Sequence, residues 1–408
     1  MKKNSGDRLG VWLFGALGGL ATTVVTGARA MARGLAEARG LVSATPLVDG
    51  LPLASLDQLV FGGHEVRQGS PLESAREIAR SNGSLPLPVV ETLKKDLDAY
   101  GARIRLGTLA NAGRTIRKLA GAGDEAPTKT LREQLDTVIA DIREFMLREK
   151  LTRCVCVNLC STEPKLAPAA AHKTLAALER AIDQDQVKAV RPTTLYALAA
   201  ARLGLPFVHF TPSDAALLPA TRALFVENGV PFAGRDGKTG ETLVKTALAP
   251  LFRYRDLRVL SWQGYNMLGD RDGVVLADDE NKATKVESKD KVLAKVLGYA
   301  PHSKVGIDYV PSLGDLKTAW DFIHFEGFLG FRMSLQFTWQ GCDAILAAPL
   351  VLDLVRLIDL AHRLGEKGAM ADFAVFFKQP IGSEEQDLHR QWEMLGAWLQ
   401  RMRALSPS

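Results

Sequence analysis

Four lysines stand where a cation could act on developing negative charge. Lys285 and Lys289 lie four residues apart in NKATKVESKDKVLAKVLG and would share one helix face. Lys317 sits in SLGDLKTAW, and Lys378 closes the apolar, strand-like run FAVFFKQP, where a lysine turned inward needs a purpose. Each has a plainer reading: a solvated helix surface for the first two, and an edge position at a strand end for Lys378. Ahead of them, GRDGKTGET (residues 234–242) places glycines and hydroxyls before the amphipathic run LVKTALAPLF, which suits an anion held at a helix N-terminus. It is no Walker A loop, since Phe232 stands where that motif needs its first glycine. A solvated polar turn would have the same composition.

A second glycine-rich loop, Gly15-Ala16-Leu17-Gly18-Gly19, follows the apolar run VWLF and precedes a helix-like stretch. Glycines there let backbone amides approach a pyrophosphate at a helix N-terminus, although a turn used only for packing would look the same. The elements that must carry these loops alternate. DQLVFGGHEV, CVCVNLCSTE and LPFVHFTPSD read as strands, with LREQLDTVIADIREFMLREK and TTLYALAAARLG as amphipathic helices between them. This pattern predicts an α/β fold with a doubly wound, mostly parallel sheet whose ligand lies at the strand ends. From about Glu241 the character changes to sheet segments, LRVLSWQGYNMLG, KVGIDYVPSLGD and LGFRMSLQFTW, which reads as a second domain. After Asp343 helical patterns return and could pack back on the first domain.

Composition narrows the function class. In 408 residues, 51 basic and 46 acidic side chains are spread without a long basic tract, which argues against nucleic-acid binding and favours small anionic ligands. Cys154, Cys156 and Cys160 cluster, with Cys342 far away, so neither a zinc-knuckle spacing nor a disulfide framework appears and reduced thiols in a cytoplasmic protein fit best. The N-terminal apolar stretch is broken by glycines and threonines, so it reads as strand, turn and helix rather than as a signal peptide or a membrane span.

Taken in order, these segments resemble the myo-inositol-phosphate synthase family. The family pattern Gly-Asp-Asp-Phe-Lys-Ser-Gly-Gln-Thr is met by GRDGKTGET, and Ser-Tyr-Asn-His-Leu-Gly-Asn-Asn-Asp-Gly by residues 264–273. Ser-Lys-Glu-Ile-Ser-Lys falls on residues 284–289, Tyr-Val-x-x-x-Gly-Asp-Ser-Lys on residues 309–317, and Cys-Glu-Asp-Ser-Leu-Leu-Ala is close to residues 341–347. Upstream, Cys160-Ser161-Thr162-Glu163 and LPFVHFTPSD are similar to two loops of the family's nucleotide domain. The resemblance implies a Rossmann NAD-binding domain from residues 1–242 and 346–408, and a central α+β catalytic and tetramerisation domain from residues 243–345. It implies NAD at Gly15, Gly18, Gly19, Asp141, Thr162 and Ser213. Substrate phosphate would lie at Thr239, Gly240, Thr242 and Lys289, and catalysis at Lys285, Lys317 and Lys378 with Asp236, Asp272, Asp315 and Asp343.

The implied reaction converts glucose 6-phosphate to 1D-myo-inositol 3-phosphate: oxidation at carbon 5, enolisation, aldol closure on the carbon 1 aldehyde, and re-reduction. Lys285 and Lys378 would serve the carbon 5 oxygen and Lys317 the aldehyde oxygen, with the aspartates tuning them. A monovalent or divalent cation is left open. Two departures keep rivals in view, namely a related cyclase closing another ring and a plain NAD dehydrogenase. Asp270 and Arg271 replace an Asn pair, and Glu241 replaces a phosphate-loop glutamine. A carboxylate beside a phosphate repels it unless it points away, so Glu241→Gln is expected to leave phosphate binding unchanged or improved.

Overall fold

A computed structural model of the chain describes residues 8–122, 128–269, 292–314 and 316–406. Strands β1 (Leu9–Phe14), β2 (Leu59–Glu65), β3 (Ile104–Leu106), β4 (Arg153–Asn158), β5 (Phe207–His209), β6 (Pro231–Gly234) and β11 (Gly368–Ala369) form one seven-stranded sheet. Its order is β11-β6-β5-β4-β1-β2-β3, and every pairing is parallel. β1, β2 and β4 are buried along almost their whole length, as strands covered by helices on both faces must be. One face packs on helices Gly19–Ala32, Asp343–Arg363 and Leu388–Leu405. The other packs on Leu131–Arg148 and Pro192–Arg202. The latter helix is buried from Pro192 to Ala201, so it is a core helix rather than the amphipathic one its sequence suggests. The chain reverses direction across the sheet between β1 and β4, and a doubly wound sheet opens its ligand crevice at that place.

Four longer strands make a second sheet in the order β10-β9-β7-β8: β7 (Arg258–Leu268), β8 (His302–Tyr309), β9 (Leu316–Glu326) and β10 (Arg332–Cys342). β7 pairs parallel with β8, and β9 runs antiparallel to both β7 and β10. Its inner face buries Trp262, Ile323 and Val259 against Phe252 of helix Gly240–Tyr254. That helix links the sheets. Its N-terminal turn ends the GRDGKTGET loop that follows β6, and its C-terminus leads into β7.

One expected strand is absent. FAVFF is a 3-10 helix, Ala371–Phe376, with Phe373 and Phe376 packed into the core. Lys378 nevertheless runs beside the β6 loop as a strand residue would. Lys378 N donates to Asp236 O, Gln379 N to Arg235 O and Ile381 N to Gly234 O.

Candidate active site

The first glycine loop is built at the crevice. Gly15 has φ +87°, and a side chain there would meet Leu159 O at 3.0 Å, so the loop lies directly against the end of β4. The amides of Gly15 and Ala16 donate to His64 O at the end of β2, and Gly18 caps helix Gly19–Ala32 with no side-chain hydrogen bond. A Cβ added to Gly19 would meet nothing within 4 Å, so space is open where that helix presents its first amides. An open, glycine-lined helix N-terminus fits the pyrophosphate of NAD.

Beyond the ends of β4 and β5, Glu163, the residue after the buried Thr162, meets Ser213. Glu163 N donates to Ser213 Oγ at 3.0 Å, and Thr193 gives both its amide and its hydroxyl to the Glu163 carboxylate. Burial pushes Glu163 up to about 7. Below Ser213, His209 Nε2 donates to its carbonyl while Nδ1 faces Asn158 Nδ2, and burial holds this histidine down at about 4, hence neutral. Asp141 behaves differently. It lies on helix Leu131–Arg148 with Oδ2 3.0 Å from His64 Nε2, and His64 O in turn accepts from the loop amides of Gly15 and Ala16.

An acid that no motif marks, Glu65, holds the loop directly. One oxygen accepts from Leu17 N at 2.7 Å, and the other accepts from Val66 N and Arg67 N. Its signal was present in the sequence: an acidic residue ending the second strand of a dinucleotide fold.

Around GRDGKTGET the structure assembles two lysine–aspartate pairs. Lys378 Nζ lies 2.9 Å from Asp236 Oδ1. Lys317, at the start of β9, lies 3.1 Å from Asp343 Oδ2 in the first turn of helix Asp343–Arg363. Thr239 donates to the other oxygen of Asp343 at 3.3 Å. Gly240, at φ +55°, leaves the space between; a Cβ there would stand 3.5 Å from Asp343 Oδ1 and 3.8 Å from Lys317 Nζ. Thr242 is buried in the first turn of the same helix. Two cations and a helix N-terminus thus bracket one loop, an arrangement able to hold a phosphate and stabilise oxyanions beside it.

Glu241 points away from this place. Its carboxylate is buried beneath β7, 2.5 Å from Lys245 Nζ, and accepts from Asn266 Nδ2. Lys245 also lies 5.9 Å from the Trp262 ring, whose Nε1 donates to Asp321 at 2.7 Å. Lys285, Lys289, Asp272 and Asp315, like Asp270 and Arg271, lie outside the described residues. Among the described residues no group of three His, Cys, Asp or Glu side chains could hold a metal ion, and no helix is long and apolar enough to cross a membrane.

Residues 9–400 match the model of an NAD-binding family described as myo-inositol-1-phosphate synthase. The chain belongs to this family. Inositol-3-phosphate synthase 1 of Bacteroides thetaiotaomicron is 32% identical over 98% of this chain and 96% of its own length. Isozyme 1 of inositol-3-phosphate synthase from Arabidopsis thaliana is 31% identical over 58% of this chain and 48% of its own. Among solved structures, the inositol-3-phosphate synthase of Caenorhabditis elegans superposes with a TM-score of 0.86 at 21% identity, over 98% of this chain and 87% of that one. A myo-inositol-1-phosphate synthase-related protein from Thermotoga maritima gives 0.78 at 25% identity, over 96% and 98%. Membership makes this chain an enzyme of the myo-inositol-1-phosphate synthase family, with an NAD-binding Rossmann fold.

Proposed function

We propose that the chain cyclises glucose 6-phosphate to 1D-myo-inositol 3-phosphate by internal oxidation, enolisation, aldol closure and re-reduction. The observation that carries this reading is the bracketing of the GRDGKTGET loop by Lys378–Asp236 on one side and Lys317–Asp343 on the other. A plain dehydrogenase needs one acid–base group at one carbon. Two separated cations suit a reaction in which charge develops first on the carbon 5 oxygen and then on the aldehyde oxygen.

NAD, when bound, supplies the oxidation and the re-reduction at carbon 5. The amides at Gly18 and Gly19 would hold its pyrophosphate, with Thr162 and Ser213 at the crevice edge and Glu65 keeping the loop in shape through Leu17. Lys378, with Lys285, would exchange the proton of the carbon 5 oxygen and then steady the enolate, and Asp236 fixes the ammonium. Lys317 would protonate the aldehyde oxygen as the ring closes, held by Asp343. Thr239, Gly240, Thr242 and Lys289 would bind the substrate phosphate, whose own oxygens can take the carbon 6 proton. Asp272 and Asp315 would orient the remaining lysines.

The chain is further proposed to work as a homotetramer in the cytoplasm. The outer face of the four-stranded sheet supports the assembly, because Tyr265 and Trp320 lie directly opposite each other on β7 and β9 and are both exposed. Incubation with glucose 6-phosphate and NAD, with the product identified by NMR, tests the reaction. An inositol monophosphate supports it, and a lactone or a five-membered cyclitol phosphate contradicts it.

A further inference from the structure

Lys238 is the one lysine of the GRDGKTGET loop, and neither lysine–aspartate pair uses it. Its amide donates to Phe376 O at 2.8 Å, and its side chain runs towards the C-terminal helix, Leu388–Leu405. It is 2% exposed. The ammonium donates to Gln391 Oε1, a fully buried neutral acceptor whose own amide is committed to Glu385 O. Burial alone pushes Lys238 down to about 7, with no neighbouring charge contributing. The side chain is thus desolvated and has no carboxylate partner among the described residues, and an ammonium, with three donors, has hydrogen-bonding capacity beyond the bond to Gln391.

The same lysine lines a cavity of about 450 Å³ between helices Gly240–Tyr254, Asp343–Arg363 and Leu388–Leu405. Its wall is otherwise mostly apolar, with Leu243, Leu350, Phe376 and Trp392 contributing to it. Thr239 and the exposed His389 and Glu393 also line it, so Lys238 is the one buried charged group in the lining among the described residues. A volume in this range with mainly apolar walls and a few placed polar groups is the usual make-up of a small-molecule site.

We propose that this cavity is a second ligand site that takes an amphipathic monocarboxylate, with the carboxylate on Lys238 Nζ and the hydrocarbon body against Leu243, Leu350, Phe376 and Trp392. A single negative charge matches the single buried cation. A phosphate dianion does not, because no arginine among the described residues lines the cavity, and the exposed Glu393 in its lining adds negative charge. The site adjoins the reaction site and shares Thr239 with it, while Lys238 and the apolar wall belong to the cavity alone. Thr239 lines the cavity and also donates to Asp343, the partner of Lys317, so an occupant is linked to Lys317 through two intervening residues. The proposal does not depend on which reaction those cations serve.

The test is calorimetric titration of the full-length protein with octanoate and with octan-1-ol, followed in parallel by Trp392 fluorescence against a Trp392→Phe control. Octanoate is expected to bind once per chain and at least about tenfold more tightly than the alcohol, the gain of a charge-assisted hydrogen bond. Lys238→Met should remove that difference while leaving octan-1-ol binding in place, and Leu350→Trp, which fills the cavity and keeps the lysine, should abolish binding of both. Equal binding of acid and alcohol by the wild type overturns the proposal. So does no binding at all, the result if another part of the chain or a second copy occupies the cavity.

Discussion

Lys317 and Lys378 each stand about 3 Å from one aspartate, at places where the sequence shows only isolated basic residues. Lys317→Ala and Lys378→Ala should each lower turnover by roughly 10²–10³-fold or more while leaving NAD affinity, measured by calorimetry, within about twofold. Near-normal turnover in both would remove them from the chemistry. Glu241 shows where residue type and residue direction part. The sequence identifies a carboxylate in a phosphate loop but cannot show that it turns under β7 to meet Lys245, although the four-residue spacing was there to be read. With that geometry, Glu241→Gln strands a buried ammonium and should cost about 3 kcal/mol of stability, seen as a lower thermal midpoint. Glu241→Gln combined with Lys245→Met should recover most of the loss, and a Glu241→Gln protein as stable as wild type would contradict the pairing. Asp141 and Glu65 make the same point: both are acids in strand–helix units, and only their contacts, with His64 and with Leu17 N respectively, tell them apart.

At the scale of elements, the parallel strands and their helices were legible because buried strands read as short apolar runs and helices as periodic ones. FAVFFKQP was not, because a run of aromatic residues anchored in a core has the same composition whether it pairs as a strand or coils as a 3-10 turn. The connections between elements were invisible as well. Glu163 joins three of them, the loop after β4, helix Pro192–Arg202 and the loop after β5. Its folded-state pKa of about 7 lies above the ordinary 4.5, so the fold favours its neutral form. That contribution is fully present below pH 4.5 and is lost as pH rises through 7. Relative to Glu163→Gln, the wild type should therefore lose on the order of 3 kcal/mol of stability between pH 4.5 and 8, followed by denaturant unfolding across that range. His209, held near 4, works in the opposite sense, with its contribution present above pH 6.5 and lost as pH falls through 4. It is common to both proteins and cancels in the comparison. Parallel pH profiles would mean that Glu163 stays ionised in the folded chain.

For the whole molecule, the second sheet presents Trp320 and Tyr265 to solvent while its inner face packs on helix Gly240–Tyr254. Trp320→Glu should shift the proposed tetramer to smaller species in light scattering coupled to size exclusion, and an unchanged mass would contradict an interface on this face. Assembly of this kind cannot be read from periodicity, which shows that a sheet has two faces but not what covers the second. In the proposed reaction, oxidation and reduction occur within one turnover. This is tested most directly by following absorbance at 340 nm, with substoichiometric NAD and excess glucose 6-phosphate, alongside NMR quantification of inositol phosphate. Product should accumulate through many turnovers per NAD while free NADH stays near zero. NADH rising in step with the loss of glucose 6-phosphate, with no cyclitol formed, would contradict it.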